Sequence, residues 1–184
     1  MKKIVLITLF GILTSQDYPI LGSSNSFDIM TWNIEHYPKH NQTTSYVIDV
    51  INQIDIDLIA FQEIEEESSF NNLISQLEGD WVGYRSGPSS STYGELSYAI
   101  NLDSVDLLAV YTILNEEEYY FAYRSPYVIE IEYQGNTIVI INNHFKCCGD
   151  DYLDLNDSWD EEHRRLIASQ LLDEYIDNFL DDKK

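Results

Sequence analysis

Three short polar sequences each close an apolar run: Trp32-Asn33-Ile34-Glu35, Phe61-Gln62-Glu63 and Asn142-Asn143-His144-Phe145-Lys146. Between them they supply a carboxamide, a carboxylate and an imidazole. Hydrolysing a phosphodiester requires charge neutralised on the non-bridging oxygens, a positioned water and a protonated leaving oxygen. Glu63 is a hard oxygen ligand suited to Mg²⁺ or Mn²⁺, which keep open water positions. His144 can donate a proton or a hydrogen bond. Arg124, in Arg124-Ser125-Pro126, can hold a phosphate in a bidentate fork. Each also has a plainer reading when taken singly. Asn33 can end a strand by bonding its own backbone, and Glu63 can belong to the solvated acidic run that reaches Glu67. His144 can be a hydrogen-bonded hairpin histidine, and Arg124 can pair with any of many carboxylates.

Such groups need rigid carriers. Asp57-Leu58-Ile59-Ala60-Phe61 predicts a buried strand that delivers Gln62-Glu63 at its carboxyl end, and Thr137-Ile138-Val139-Ile140-Ile141 does the same for His144. Residues 27–32 predict the strand before Asn33. Val47, Val50, Ile51 and Ile54 recur at helical spacing, as do Phe70, Leu73, Ile74 and Leu77 before Gly79. Strand-like runs follow at 81–84, 96–102, 107–113 and 119–123. The alternating stretch 127–133 then turns at Gln134-Gly135-Asn136 into the run that ends at His144, a hairpin. A capping box, Ser158-x-x-Glu161, opens a final helix with Leu166, Ile167, Leu171, Tyr175, Ile176, Phe179 and Leu180 on its apolar face. Mixed sheets with outer helices fit this order.

The chain has 184 residues, the size of one ordinary domain, and a net charge of −22 from 32 acidic and 10 basic residues. That surface excludes tight, salt-sensitive polyanion binding driven by bulk charge. A bound divalent cation changes the local sign, so a nuclease is not excluded. The scarce cations Arg85, Arg124, Lys146, Arg164 and Arg165 fall in or near the candidate segments. Met1-Lys2-Lys3 before an apolar stretch too short to span a bilayer reads as a signal peptide over 1–16, with a polar linker over 17–26 and one domain over 27–184. Export to a secreted or periplasmic location follows, with no stable membrane insertion after cleavage, and a monomer is expected. The adjacent Cys147 and Cys148 read as a vicinal disulfide or as two free thiols.

In order and setting these motifs resemble the endonuclease/exonuclease/phosphatase superfamily of deoxyribonuclease I-like phosphodiesterases. The resemblance runs from about residue 27 to the final helix. Met30-Thr31-Trp32-Asn33-Ile34 resembles the opening strand motif, whose Asn helps to organise the metal site. Asp57-Leu58-Ile59-Ala60-Phe61-Gln62-Glu63 resembles the motif whose Glu binds Mg²⁺. Tyr93-Gly94-Glu95 resembles the segment whose Glu pairs with a histidine, and such pairing would raise the pKa of His144. Arg124-Ser125-Pro126 resembles the family's Arg-x-Pro, and Asn143-His144-Phe145-Lys146 its histidine segment. Arg164 or Arg165 resembles the Arg that begins the corresponding helix. The fold implied is α/β, a four-layer sandwich of two mixed sheets flanked by helices.

The function implied is a secreted Mg²⁺-dependent phosphodiester hydrolase of endonuclease type, with Mn²⁺ as a substitute. Glu63 and Asn33 would stand at the metal, His144 and Glu95 would be catalytic, and Arg124, Asn143 and Tyr93 would meet the substrate phosphate. DNA or RNA is the favoured substrate, with phospholipid head groups and small phosphoesters open. The family's later motifs, Gly-Asp-x-Asn and Ser-Asp-His, do not occur in these residues. Asp154-Leu155-Asn156 has a similar spelling but precedes the helix, and His163 falls in its first turn. The domain is therefore expected to lack C-terminal strands and to be impaired alone. A non-catalytic phosphoester-binding module or an inactive fragment is the alternative.

Overall fold

Apolar residues on both sides of one strand decide the centre of the molecule. In β2 (Leu58–Glu66), Ile59 and Phe61 face one way and Leu58 and Ala60 the other, and all four are buried. β1 (Ile29–Tyr37) lies parallel to it, reached through helix α1 (Thr43–Ile54). β4 (Ser90–Asn101) pairs antiparallel on the other side, and β3 (Trp81–Arg85) pairs antiparallel with β4. This first sheet is mixed, in the order β1-β2-β4-β3. The second sheet, β5 (Asp106–Thr112), β6 (Tyr127–Tyr133) and β7 (Asn136–Asn142), is antiparallel throughout. The expected hairpin joins β6 to β7. The computed structural model describes residues 20–180 apart from Ser24 and Ser89, so the expected signal peptide over 1–16 lies outside the described residues.

Four layers result. α1 (through Val47, Ile51 and Ile54) and α2 (Glu67–Ile74, through Phe70 and Leu73) cover the outer face of the first sheet. Between the sheets, Leu96, Tyr98 and Ile100 of β4 meet Tyr127, Ile129 and Ile131 of β6. On the far side of β6, Val128 and Glu130 are also buried. There Tyr111 donates to Glu130 at 2.6 Å, and Tyr175 of α3 (Glu161–Tyr175) reaches Tyr111.

Polar ties cross the apolar interior. Tyr98 Oη, fully buried, lies 2.7 Å from the Tyr127 carbonyl and 3.0 Å from that of Ile140. Asn142 donates to the carbonyls of Phe61 (2.8 Å) and Ser97 (3.2 Å) and accepts from Gln62 Nε2 at 2.7 Å. Both residues fasten β4 or β2 to the second sheet beneath the strand ends that carry the candidate site.

Two expected elements differ. Residues 119–123 form turns rather than a strand: after a 3₁₀ turn (Asn115–Glu117), the amides of Phe121 and Tyr123 both donate to Glu118 O. Tyr119 and Tyr123 pack against Arg164, and Phe121 stacks on Phe145, instead of alternating across a pleat. The final helix is capped by Asp160, whose Oδ1 accepts from His163 N at 2.6 Å, and not by the Ser158 capping box. Ser158 instead offers its carbonyl to Tyr119 Oη at 2.6 Å. Beyond Tyr175 the chain continues as a π-helical turn, Ile176–Leu180, with Phe179 stacked on Tyr175.

Candidate active site

β1 and β2 do not run straight into the site; each breaks step where a functional side chain leaves it. β1 loses register with β2 between Asn33 and Tyr37, where Glu35 and His36 take left-handed backbone angles, φ 39° and 55°. Asn33 Oδ1 accepts from Glu35 N at 2.9 Å and holds that turn, while its Nδ2 donates to Glu63 Oε1 at 2.9 Å. His36 N donates to Glu63 Oε2 at 3.2 Å. Glu63 itself sits at φ 67°, where the pairing of β2 with β4 slips. Opposite it, Gly94 has φ 70°, and a Cβ there would fall 2.4 Å from Glu63 Cα. Only glycine lets β4 approach so closely. Bulges of this kind re-aim side chains at strand ends.

Arg124 and His144 complete a connected network with Glu63. His144 Nε2 is 3.1 Å from Glu63 Oε1, and His144 Nδ1 is 3.3 Å from Arg124 Nη1. Arg124 can only donate, so Nδ1 accepts and Nε2 carries the proton toward Glu63. Burial and the Arg124 charge hold the His144 pKa below its ordinary value, against the pull of Glu63. For Glu63, burial pushes the carboxyl up, but the bonds from Asn33, His144 and the His36 amide together bring it below the usual range. The pair is a carboxylate and a neutral, donating imidazole.

The other expected site residues have defined partners in this geometry. Arg124 is buried, and its guanidinium bonds the carbonyls of Gly94 (2.6 Å), Ala122 (3.0 Å) and Tyr93 besides His144. Four of its five N–H donors are then committed within the protein. Both ends of the Asn33 amide are engaged, one by Glu63 and the other by the Glu35 amide. His144 has Glu63 and Arg124 on its ring nitrogens where Glu95 was expected. Glu95 is buried instead near Arg85 and Arg124, lining an adjacent cavity with Ser86 and Gly87. Asn143 donates to Ile141 O at 3.3 Å and leaves its buried Oδ1 unpartnered; it does not line the central cavity. Tyr93 stands exposed on that cavity's rim.

The central cavity, about 380 Å³, is lined by Glu63, Arg124, His144, Lys146 and Arg164 among others. Between residues 20 and 180 the chain has six Lys and Arg: Lys39, Arg85, Arg124, Lys146, Arg164 and Arg165. Half of them face this one space in a chain of net charge −22. Of the candidate pair on α3, Arg164 lines the cavity, whereas Arg165 bonds the Lys146 and Cys148 carbonyls and pairs with Glu162 at 2.9 Å.

Sequence reasoning did not single out His36, Tyr123 or Cys147 as cavity residues, yet all three line it. His36 Nδ1 lies 2.7 Å from Glu65 Oε1. Its neighbour Glu65 two positions past Glu63 was the available signal, but the left-handed turn that swings His36 inward leaves no local trace. Cys147 and Cys148 are free thiols, with sulfurs 3.0 Å apart.

A divalent cation fits this donor set in one form. Glu63 has three of about four lone-pair sites taken, so it offers one oxygen. Mg²⁺ accepts one or two carboxylates and fills its remaining positions with water and phosphate. Among the described residues a second acidic group, Asp150, Asp160 and Glu162, gathers at the start of α3, where Glu162 Oε1 already accepts from Asp151 N and Arg165.

No family model and no curated protein matches the chain. Solved structures do, at low identity. Zebrafish (D. rerio) TDP2 complexed with single-strand DNA product superimposes with a TM-score of 0.65 at 12% identity, over 83% of this chain and 55% of that one. An endonuclease/exonuclease/phosphatase from Bacteroides vulgatus gives 0.55 at 17% identity, over 82% and 59%. The human Nocturnin catalytic domain with bound sulfate gives 0.54 at 14% identity, over the same shares. The chain shares with these structures the deoxyribonuclease I-like α/β sandwich fold. It spans 55–59% of the length of these structures.

Proposed function

We propose that the chain is the metal- and phosphate-holding portion of a secreted, Mg²⁺-dependent phosphodiester hydrolase of endonuclease type. The observation that carries this is the gathering of Arg124, Lys146 and Arg164 around Glu63 and His144 in a chain of net charge −22. Glu63 would hold the cation, with Asn33 and the His36 amide fixing its carboxylate. A bound cation supplies Lewis-acid charge on the phosphate. Lys146 and Arg164 attract the anionic substrate, and His144 donates a hydrogen bond from Nε2 once the substrate displaces its bond to Glu63. His36, its Nδ1–H given to Glu65, presents Nε2 as the cavity's proton acceptor.

Turnover by these residues alone is expected to be slow. Among the described residues that line the cavity, Glu63 is the single carboxylate and the half-exposed His36 is the group left to take a proton from water. That solitary carboxylate also favours the second reading, a module that binds phosphoesters without hydrolysis. Export and a monomeric state belong to the same proposal; no helix among the described residues is long and apolar enough to cross a membrane. The test compares the purified chain with Glu63→Gln on single-stranded DNA, RNA, sphingomyelin and a generic phosphodiester, with Mg²⁺ or EDTA. Metal-dependent cleavage that drops at least about 100-fold in the variant supports the enzyme. Binding of phosphoesters without any cleavage supports the module, and neither binding nor cleavage overturns both.

A further inference from the structure

Beside the three cations stands an aromatic ledge that phosphate chemistry alone does not explain. Arg164, only 4% exposed, lies with its guanidinium carbon 4.2 Å from the Tyr119 ring centre and 5.5 Å from that of Tyr123. Its Nε donates to Tyr119 O at 3.1 Å, which locks the cation in place. Trp159 meets Tyr119 edge-on, 5.7 Å away at 90°, and extends the ledge outward. Tyr119 and Tyr123 are themselves in edge contact at 5.8 Å. Tyr123 remains 56% exposed and lines the cavity next to Arg124.

The backbone is held in a costly shape to put it there. Ala122 and Tyr123 are consecutive residues at φ 54° and 63°. Left-handed angles are uncommon for non-glycine residues, and two in succession cluster at sites that need a particular presentation. The turn orients Arg124 inward and leaves the Tyr123 ring at the cavity mouth. A firmly backed, exposed ring beside a cationic phosphate pocket is the arrangement on which an unpaired base stacks.

We propose that Tyr123 is the base-stacking platform of this cavity, so that its substrate is single-stranded nucleic acid and not a lipid or sugar phosphoester. The proposal rests on the phosphate reading of the same cavity. Charge argues against a duplex: outside the cavity only Lys39, Arg85 and Arg165 remain among residues 20–180, too few to follow two phosphate backbones. A short strand needs only the local cations and the stack.

The experiment measures binding of a phosphorothioate-linked hexathymidylate and of the same backbone made abasic, in Mg²⁺, with inorganic phosphate as competitor. The expected result is about tenfold tighter binding of the base-bearing strand. Tyr123→Ala should bring that ratio to near one and Tyr123→Phe should keep it, with phosphate displacing both strands. Thermal unfolding of each variant confirms that the fold is intact. Equal affinity for the two wild-type strands, or a ratio untouched by Tyr123→Ala, would overturn the stacking role while leaving the phosphate site standing. Failure of both strands and of inorganic phosphate to bind would overturn the phosphate reading, and this one with it.

Discussion

Asn33 shows how much one carboxamide can do. Its oxygen closes the left-handed turn at Glu35, and its nitrogen holds the Glu63 carboxylate at 2.9 Å. Residues that orient a metal ligand typically change metal affinity 10- to 100-fold when removed. Asn33→Ala is therefore expected to weaken Mg²⁺ binding by about tenfold or more, read by calorimetric titration; an unchanged affinity would remove Asn33 from the site. Arg124 makes the opposite point. Its type and its Ser-Pro neighbours announced a phosphate fork, yet carbonyls from Tyr93 and Gly94, some thirty positions away, take its donors. No local sequence signal reports such a partner. His36 was illegible for a related reason, since its direction follows from a positive φ at a bulge and not from strand alternation.

At the level of elements, the two sheets depend on a few polar bonds within an apolar interface. Tyr98 is the largest of these ties, bridging from β4 to the carbonyls of Tyr127 and Ile140. Tyr98→Phe leaves one buried and one half-buried acceptor without this donor and is expected to cost about 1–3 kcal/mol, measured by urea unfolding; a loss near zero would mean that water replaces the bond. The same burial gives an alkaline limit. Desolvation pushes the Tyr127 hydroxyl up to about 12 and that of Tyr98 higher still. An unfolded tyrosine ionises near pH 10, so between about pH 10 and 12 the folded state binds more protons than the unfolded one. Stability is then full below about pH 10 and falls as pH rises through 12. Unfolding midpoints measured on either side of that window check the sign. The element pattern itself was largely readable: the buried 57–61 strand, both early helices and the β6–β7 hairpin follow from periodicity. Residues 119–123 were misread because aromatic residues suit a strand and a cavity wall equally well. Contact with Arg164, forty positions later, settles which.

For the whole molecule the governing fact is charge. A net charge of −22 on 184 residues makes the folded state repel itself, and salt relieves that repulsion. Raising ionic strength from about 0.01 M to about 1 M shortens the screening length from about 30 Å to about 3 Å. The melting temperature should rise across that range, followed by circular dichroism; a fall would mean that ion pairs such as Arg165–Glu162 outweigh the repulsion. Taken alone, the sequence determined the α/β layering, the strand ends that carry Asn33, Glu63 and His144, and the scarcity of cations. Those follow from hydrophobic period and composition, which are local quantities. Only the tertiary structure decided what these residues do to one another. It made His144 a donor to Glu63, occupied Arg124, set Glu95 apart and drew His36, Lys146, Tyr123 and Arg164 around one cavity. The reason is physical: donor and acceptor pairing, burial and left-handed turns depend on chain segments thirty to a hundred residues apart, and only packing brings those together.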